Sequence, residues 1–517
     1  MKHKIAEIVK KSLKDYQDLP EIAIDIPRNK NFGDYSCNIA LILAKKLEQN
    51  PREIASKLVE KLKEDSLFEK VAIAGPGFIN FTLKEAIIQD TVKEVIKQDH
   101  DWGKLATRNP QPETVLLEYV SANPTGPLHV GHGRWAVVGD AIARLLRAAG
   151  YEVKTEYYVN NVGNQIDKLI ASVKAAKDGK PTPEGGYGGA YIQEIAKQKA
   201  ENSEEILASI IEEQKKTLGQ LGVAFDNWFD ESQLHDKNEV KLGVAKLHDL
   251  GMTFEEGGAI WFKSQELGDD KNRVLIRENG NSTYFSADIA YHLNKFSRAD
   301  HLIDIWGTDH HGYVARLKAA LKVMGLPVDK FEVIIGQLVT LYRGKEAIRM
   351  SKRTGEMVTL QEVVDEIGTD ATRFFFSATD VNSHLDFDLE LAKKKSNDNP
   401  VFYVQYAHAR VCSILEKNKT AGLPDCQTTS LKDLKNPAER ALMLKLISWP
   451  DIVQVAARLR HPQMVTEYGK ELAALFHSFY EQCQVLGNPA RVILVDASRI
   501  VLRNVLEMLA ISAPEKM

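Results

Sequence analysis

The stretch that decides the fold is residues 115–153, VLLEYVSANPTGPLHVGHGRWAVVGDAIARLLRAAGYEV. VLLEYV reads as a buried strand, apolar apart from Glu118 and the Tyr119 hydroxyl. SANPTGPLHVGHG gathers proline and glycine into a turn, and RWAVVGDAIARLLRAAG has helical periodicity. TEYYV (155–159) then reads as the next strand. Strand, turn, helix and strand in this order make a βαβ unit, the building block of a parallel sheet that binds nucleotides at its strand C-termini.

On the C-terminal side, residues 165–270 change character. They carry long polar helical stretches (AYIQEIAKQKAENSEEILASIIEEQKKTLGQLGV, 190–223) and a GGYGG cluster at 185–189, and read as an insertion into the sheet. The strand-and-loop pattern is expected to resume with RVLIRENG (273–280), STYFSADIAYHL (282–293), HLIDIWGTDHHG (301–312) and FEVIIGQLV (331–339). From Pro400 to Met517 nearly every segment has helical periodicity. On the N-terminal side, a helical start leads into the punctuated segments RNKNFGDYSCN (28–38) and IAGPGFINF (73–81). DWGKLATRNPQPET (101–114) reads as a linker. The expected architecture is α/β: a small α+β domain (1–108), a Rossmann-type parallel-sheet domain (109–390) with an insertion at about 165–270, and an all-α domain (391–517).

Composition excludes several classes. The chain has 517 residues, 44% hydrophobic and 27% charged, the balance of a globular protein. No apolar run is long enough for a membrane span, and the basic N-terminus lacks the apolar stretch of a secretory signal, so a cytoplasmic location is expected. Cys37, Cys412, Cys426 and Cys483 form no CxxC pair, which argues against a zinc ribbon and for reduced thiols. The net charge of −4 does not announce a polyanion partner, although residues 401–517 carry a small positive surplus.

The chemistry concentrates at two places. His129 and His132 sit at the glycine-rich turn, where backbone N–H groups attract phosphate and imidazole N–H groups can stabilise a departing pyrophosphate. A zinc pair completed by His310 and His311, or a histidine-rich turn with no role, are the alternatives. Farther along, Arg349-Met350-Ser351-Lys352-Arg353 puts adjacent cations where they can neutralise a triphosphate; a solvated basic loop is the plain alternative. Glu118 in its apolar strand and Asp288, flanked by Tyr284, Tyr291 and His292, suit a cationic and planar substrate group. Equally, Glu118 can face a sheet edge and Asp288 can cap a helix.

HVGH and RMSKR together resemble the HIGH and KMSKS signatures of class I aminoacyl-tRNA synthetases. EYVSANPTGPLHVGHGR is similar to the hallmark of arginyl-tRNA synthetases in particular. YYVNNVGNQ (157–165), GYGGAYI (186–192), YFSADIAYH (284–292), WGTDHHGY (306–313), GTDATRFFF (368–376), NPVFYVQYAHAR (399–410) and the APEKM end extend the resemblance. With NFGDYSCN and AGPGFINF it covers essentially the whole chain.

The resemblance implies a ligase that activates arginine with ATP and Mg²⁺ and esterifies it to the terminal ribose 2′-OH of tRNA(Arg), as a monomer without a resident metal. It implies that activation needs bound tRNA. It places Glu118, Asn123, Asn160, Gln165, Tyr284 and Asp288 around arginine. His129, Gly131, His132, Gly133, Asp309, His310, Met350, Ser351 and Lys352 would serve ATP, with His129, His132 and Lys352 catalytic. Arg349 stands where the second signature usually has its first lysine. The N-terminal domain would touch the tRNA elbow through Asn31, Phe32 and Tyr35, and the helical domain would read the anticodon with Tyr403, Tyr406 and Arg410. Inward packing of Phe32 and Tyr35, and a core role for the 403/406/410 face, are the alternatives; of the two helical-domain tyrosines, one is expected to be exposed.

Overall fold

Five parallel strands form the central sheet: β1 (Thr114–Glu118), β2 (Glu152–Val159), β3 (Asn227–Asp230), β4 (His301–Gly307) and β5 (Phe331–Gly336). Their order is β5-β4-β1-β2-β3. The chain therefore leaves β1 to one side, returns, and continues on the other, which opens a crevice beyond the C-terminal end of β1. The computed structural model describes residues 1–14, 16, 18–27, 29–105, 112–198, 202–348, 358–419, 424–425 and 427–517. The RMSKR segment, including Arg349, Met350, Ser351 and Lys352, lies outside the described residues, as do Cys426 and the side chain of Asp309.

Helix α1 (Val130–Ala148) is buried along most of its length against the sheet. Close approach is possible because position 139 is glycine: a Cβ there would stand 2.3 Å from the Tyr119 ring. Among the helices that follow are α2 (Asn164–Lys177), α3 (Ala190–Lys197), α4 (Ser203–Gln220), α5 (Tyr284–Phe296), α6 (His311–Val323), α7 (Leu360–Ile367) and α8 (Thr369–Ser377). Helices α2, α3 and α4 build a satellite core from Ile166, Leu169, Val173, Ile192, Ile206 and Ile210.

Three expectations need correction. RVLIRENG does not join the parallel sheet. Gly257 and Gly258, both with positive φ, make a two-residue hairpin turn between Thr253–Glu256 and Ala259–Phe262, and Arg273–Ile276 pairs with the open edge of that hairpin. STYFSADIAYHL is helix, because Thr283 and Ser286 form a reciprocal cap that starts α5. The inserted region is not wholly outside the sheet, since it supplies β3, which pairs with β2.

The N-terminal residues form a four-stranded antiparallel sheet with helices, and among the described residues five helices between Pro400 and Met508 form the C-terminal part, as expected. The two ends meet. Arg440 donates to both carboxylate oxygens of Asp34 at 2.7 and 2.9 Å, and the indoles of Trp102 and Trp449 donate to Leu446 O and Trp102 O, each at 3.1 Å. Buried Arg373 in α8 ties α1 to the C-terminal bundle, pairing with Asp140 of α1 and donating to Leu221 O and Leu509 O.

Candidate active site

The turn after β1 brings two histidines together by a reciprocal cap. Gly131 N–H donates to His129 Nδ1 at 3.1 Å, and His129 N–H donates to His132 Nδ1 at 3.4 Å. The rings stack with centroids 3.6 Å apart. Because each Nδ1 accepts, a neutral ring carries its proton on Nε2, so both rings are set as Nε2 donors at the positive end of α1. Gly131 is packed against the His129 ring, where a Cβ would lie 3.0 Å from Cε1. Gly133 has a different task. A Cβ there would stand 2.4 Å from Leu360 Cδ1, so its missing side chain lets α1 pack on α7 and α8.

Across the sheet, Glu118 is registered with Asp304 of β4 on one side and Glu156 of β2 on the other. Such a row of acids at the strand ends needs compensation, and α5 and the residues just after it supply it. Lys295, fully buried, bridges Glu118 and Asp304, and Arg298 donates to both oxygens of Glu156 at 2.7 and 2.8 Å. His292 places Nδ1 2.7 Å from the Asp288 carbonyl and Nε2 2.9 Å from Asp304 Oδ2. Burial pushes the Glu118 carboxyl up, while Lys295 holds Asp304 below the usual range despite its burial. The ammonium of Lys295 is kept charged by the two acids it bridges, although burial alone would discharge it. Glu118 also accepts from Ser121 Oγ at 2.7 Å.

Two other acids in the crevice differ. Asp288, half-buried on α5, receives the Tyr313 hydroxyl, and burial raises its pKa. Glu231, 4% exposed just beyond β3, is pushed up to about 7, first by burial and further by the charge of Asp288, against the lowering effect of the Tyr158 hydroxyl. Asn160, with its amide nitrogen toward the acid, donates to Glu231 Oε2 at 3.1 Å and to Val162 O at 2.9 Å. His235 lies 3.6 Å from Glu231 Oε1. Among the described residues neither Asp288 nor Glu231 has a Lys or Arg partner. An acidic pair whose pKa values are raised by burial gains most from a cation that brings its own hydrogen-bond donors.

The remaining expected residues rim the same crevice. Tyr284 is 50% exposed at the start of α5, with its hydroxyl near Gly163. Asn123, exposed, donates through Nδ2 to Gln165 Oε1 at 2.8 Å. His310 stands against Trp306 and Tyr313, with ring centroids 5.5 and 6.0 Å away. Glu231, Tyr158, Tyr313 and Lys295 were not singled out from the sequence. The usable signal for Glu231 was a short aromatic strand, NWFD, ending directly before an acid.

The expected RNA-facing residues divide. Phe32 is 49% exposed and Asn31 is exposed beside it, but Tyr35 is buried at 2%. Tyr35 and Cys37 alternate inward on an antiparallel strand, so Tyr35 belongs to the N-terminal core and cannot meet a base. In the C-terminal part, Tyr403 and Tyr406 are both half-buried around His477, with ring centroids 5.3 and 6.1 Å away, so neither is the fully exposed one expected. Arg410 lies 4.7 Å over the Tyr480 ring and donates to the Tyr406 hydroxyl. No helix among the described residues is long and apolar enough to cross a membrane.

Comparison with known proteins agrees with this geometry. The pattern described as the arginyl tRNA synthetase N terminal domain matches residues 1–83, and that of the class I (R) tRNA synthetase catalytic domain matches 91–207 and 190–379. The DALR anticodon binding domain matches 404–517. The arginine–tRNA ligase of Heliobacterium modesticaldum is 44% identical, covering 96% of this chain and 94% of its own length. That of Acetivibrio thermocellus is 43% identical, covering 100% and 99%. The Thermus thermophilus arginyl-tRNA synthetase structure shares the fold over 100% of both chains, with a TM-score of 0.81 at 24% identity. With relatives this similar over nearly its whole length, the chain belongs to the arginyl-tRNA synthetase family.

Proposed function

We propose that the protein ligates arginine to tRNA(Arg) in two steps within the crevice beyond β1. The observation that carries this reading is the conjunction, in one crevice, of two Nε2-donating histidines at a helix N-terminus with the acidic pair Asp288 and Glu231. In the first step an arginine carboxylate oxygen attacks the α-phosphorus of ATP, the bond to the bridging oxygen breaks, and pyrophosphate leaves. His129 and His132 meet the phosphates through Nε2–H, beside Gly131 and His310. Asp309, Met350, Ser351 and Lys352 are assigned there from the sequence, with Mg²⁺ entering as part of the ATP complex. In the second step the 2′-OH of the terminal ribose attacks the carbonyl and AMP leaves. The work is positioning and charge stabilisation.

Asp288 and Glu231 take the guanidinium, between Tyr284 and Tyr313. Asn123 takes the α-amino end, and Asn160 and Gln165 line the pocket. Glu118, already neutralised by Lys295, offers an acceptor oxygen rather than the counter-charge. Gly133 serves helix packing. Residues 1–108, 109–390 and 391–517 act as elbow-binding, catalytic and anticodon-binding domains of a cytoplasmic monomer. Asn31 and Phe32 face the elbow, and Tyr403, Tyr406 and Arg410 face the anticodon.

ATP–pyrophosphate exchange with arginine, with and without tRNA(Arg), tests the reading. Exchange that requires tRNA is the expected result. No exchange by folded protein in either condition would overturn the catalytic assignment.

A further inference from the structure

The turn between β1 and α1 holds an unfavourable backbone. Val120 has φ +70° and Ser121 φ +37°. Left-handed φ is costly for any residue with a Cβ and most of all for β-branched valine, so such a conformation persists only where surrounding bonds enforce it. Ser121 is held locally, its Oγ donating to Glu118 and accepting from Tyr158 N–H at 3.1 Å.

The rest of the turn is held by side chains from β2 and from the inserted helices. Tyr157, fully buried, accepts from Ala122 N–H at 3.1 Å, and its hydroxyl lies 2.9 Å from both Ala122 O and Gln214 Oε1. Gln214 of α4 is 1% exposed, and its Nε2 donates to Gly126 O at 3.0 Å and to Asn123 O at 3.4 Å. Tyr191 of α3 donates to Thr125 O at 2.8 Å. Gln214 therefore uses both amide hydrogens and its oxygen on this one turn and its tyrosine support. An amide buried in a helix and spent wholly on a neighbouring loop is costly to place unless the loop needs it. One of its targets is the carbonyl of Asn123 itself, whose side chain stands exposed in the crevice.

We propose that Gln214 is a positioning residue for arginine binding. It locks the Val120–Gly126 turn in its strained form, with Tyr157 and Tyr191 as the other two holds, and so aims Asn123 at the substrate's α-amino end. In this way the inserted helices act on the amino-acid subsite. The proposal rests on the assignment of Asn123 to arginine given above, and the test separates the two.

The experiment is pyrophosphate exchange by the full-length enzyme with tRNA present, measuring KM for arginine and for ATP separately. Gln214→Met keeps length and removes every polar contact. The expected result is an arginine KM raised about tenfold, with the ATP KM changed by less than about twofold. Gln214→Glu, which keeps the acceptor for Tyr157 but loses both donors, should fail to restore binding. Tyr191→Phe, which loses a single bond at a partly exposed site, should raise the arginine KM about threefold and decides the matter if the Gln214 variants do not fold. Asn123→Ala is the control. If it raises the arginine KM while folded Gln214→Met or Tyr191→Phe leaves it unchanged, the lock is refuted. If Asn123→Ala is itself without effect, the assignment of Asn123 fails and the proposal falls with it. Equal rises in both KM values would also overturn it, since they would mark a general loss of structure.

Discussion

His129 and Thr359, far apart in sequence, form an antiparallel bridge, and beside it Leu360 N–H donates to Leu128 O at 2.8 Å. Both residues are helix caps: His129 starts α1, and Thr359 starts α7 through a box with Glu362. Two helix N-termini are thus fastened together, and the chain from Val358 onward begins beside the histidine turn.

The cap and the chemistry of His129 can be separated. His129→Ala loses both, so we expect a fall in exchange kcat of about 100-fold and a stability loss of about 1 kcal/mol. Asn is among the best capping residues, so His129→Asn should restore stability in urea while leaving most of the catalytic loss. Recovery of both properties together would show that His129 acts only as a cap.

Glu231 gives a pH dependence. With a pKa near 7 before substrate binds, it is largely protonated at pH 6 and ionised at pH 8, and only the ionised form pairs with a guanidinium. The arginine KM should therefore fall as pH rises through 7, with little change in the ATP KM. Glu231→Gln should flatten the profile at or above its acid value. His235 lies 3.6 Å from Glu231, and His235→Asn should leave the slope in place.

Glu231 also marks the boundary of what local sequence could tell. The βαβ unit and the histidine turn were legible because each depends on neighbours within a few residues: strand, glycines, cap. Glu231 and Lys295 were not, since their roles arise from strand order. The sequence of β3 looks like part of a polar insertion until it pairs with β2, and Lys295 looks like a helix-end cation until β1 and β4 set Glu118 beside Asp304. Tyr35 illustrates the reverse error. Its neighbours suggested a turn tip, but the strand alternation that buries it follows from pairing with Phe78–Leu83.

Lys295 should be a stability residue whose loss is pH-dependent. Lys295→Met leaves Glu118 and Asp304 buried without their cation, and we expect a cost of about 3–5 kcal/mol near neutral pH by denaturant unfolding. Asp304 is held below the usual range by Lys295, so in the wild type that contribution is present at neutral pH and lost as pH falls through its lowered pKa. In the variant both acids can take protons instead, so the difference from wild type should shrink toward acid pH. Adding Glu118→Gln should recover part of the loss. A Lys295→Met protein as stable as wild type would remove the network from any structural role.

Phe32 and Tyr35, three residues apart, should respond oppositely to truncation. Phe32 is half exposed beside Asn31, so Phe32→Ala should leave the melting temperature unchanged and raise the tRNA KM several-fold, about the loss of one base–aromatic stack. Tyr35 is core, so Tyr35→Ala should cost about 3–5 kcal/mol through the cavity it leaves. Its influence on tRNA should come only through that instability, and lowering the assay temperature should restore the tRNA KM for Tyr35→Ala but not for Phe32→Ala. If Phe32→Ala charges tRNA with an unchanged KM, the exposed ring does not meet RNA, and the elbow contact must lie on another face of the N-terminal sheet.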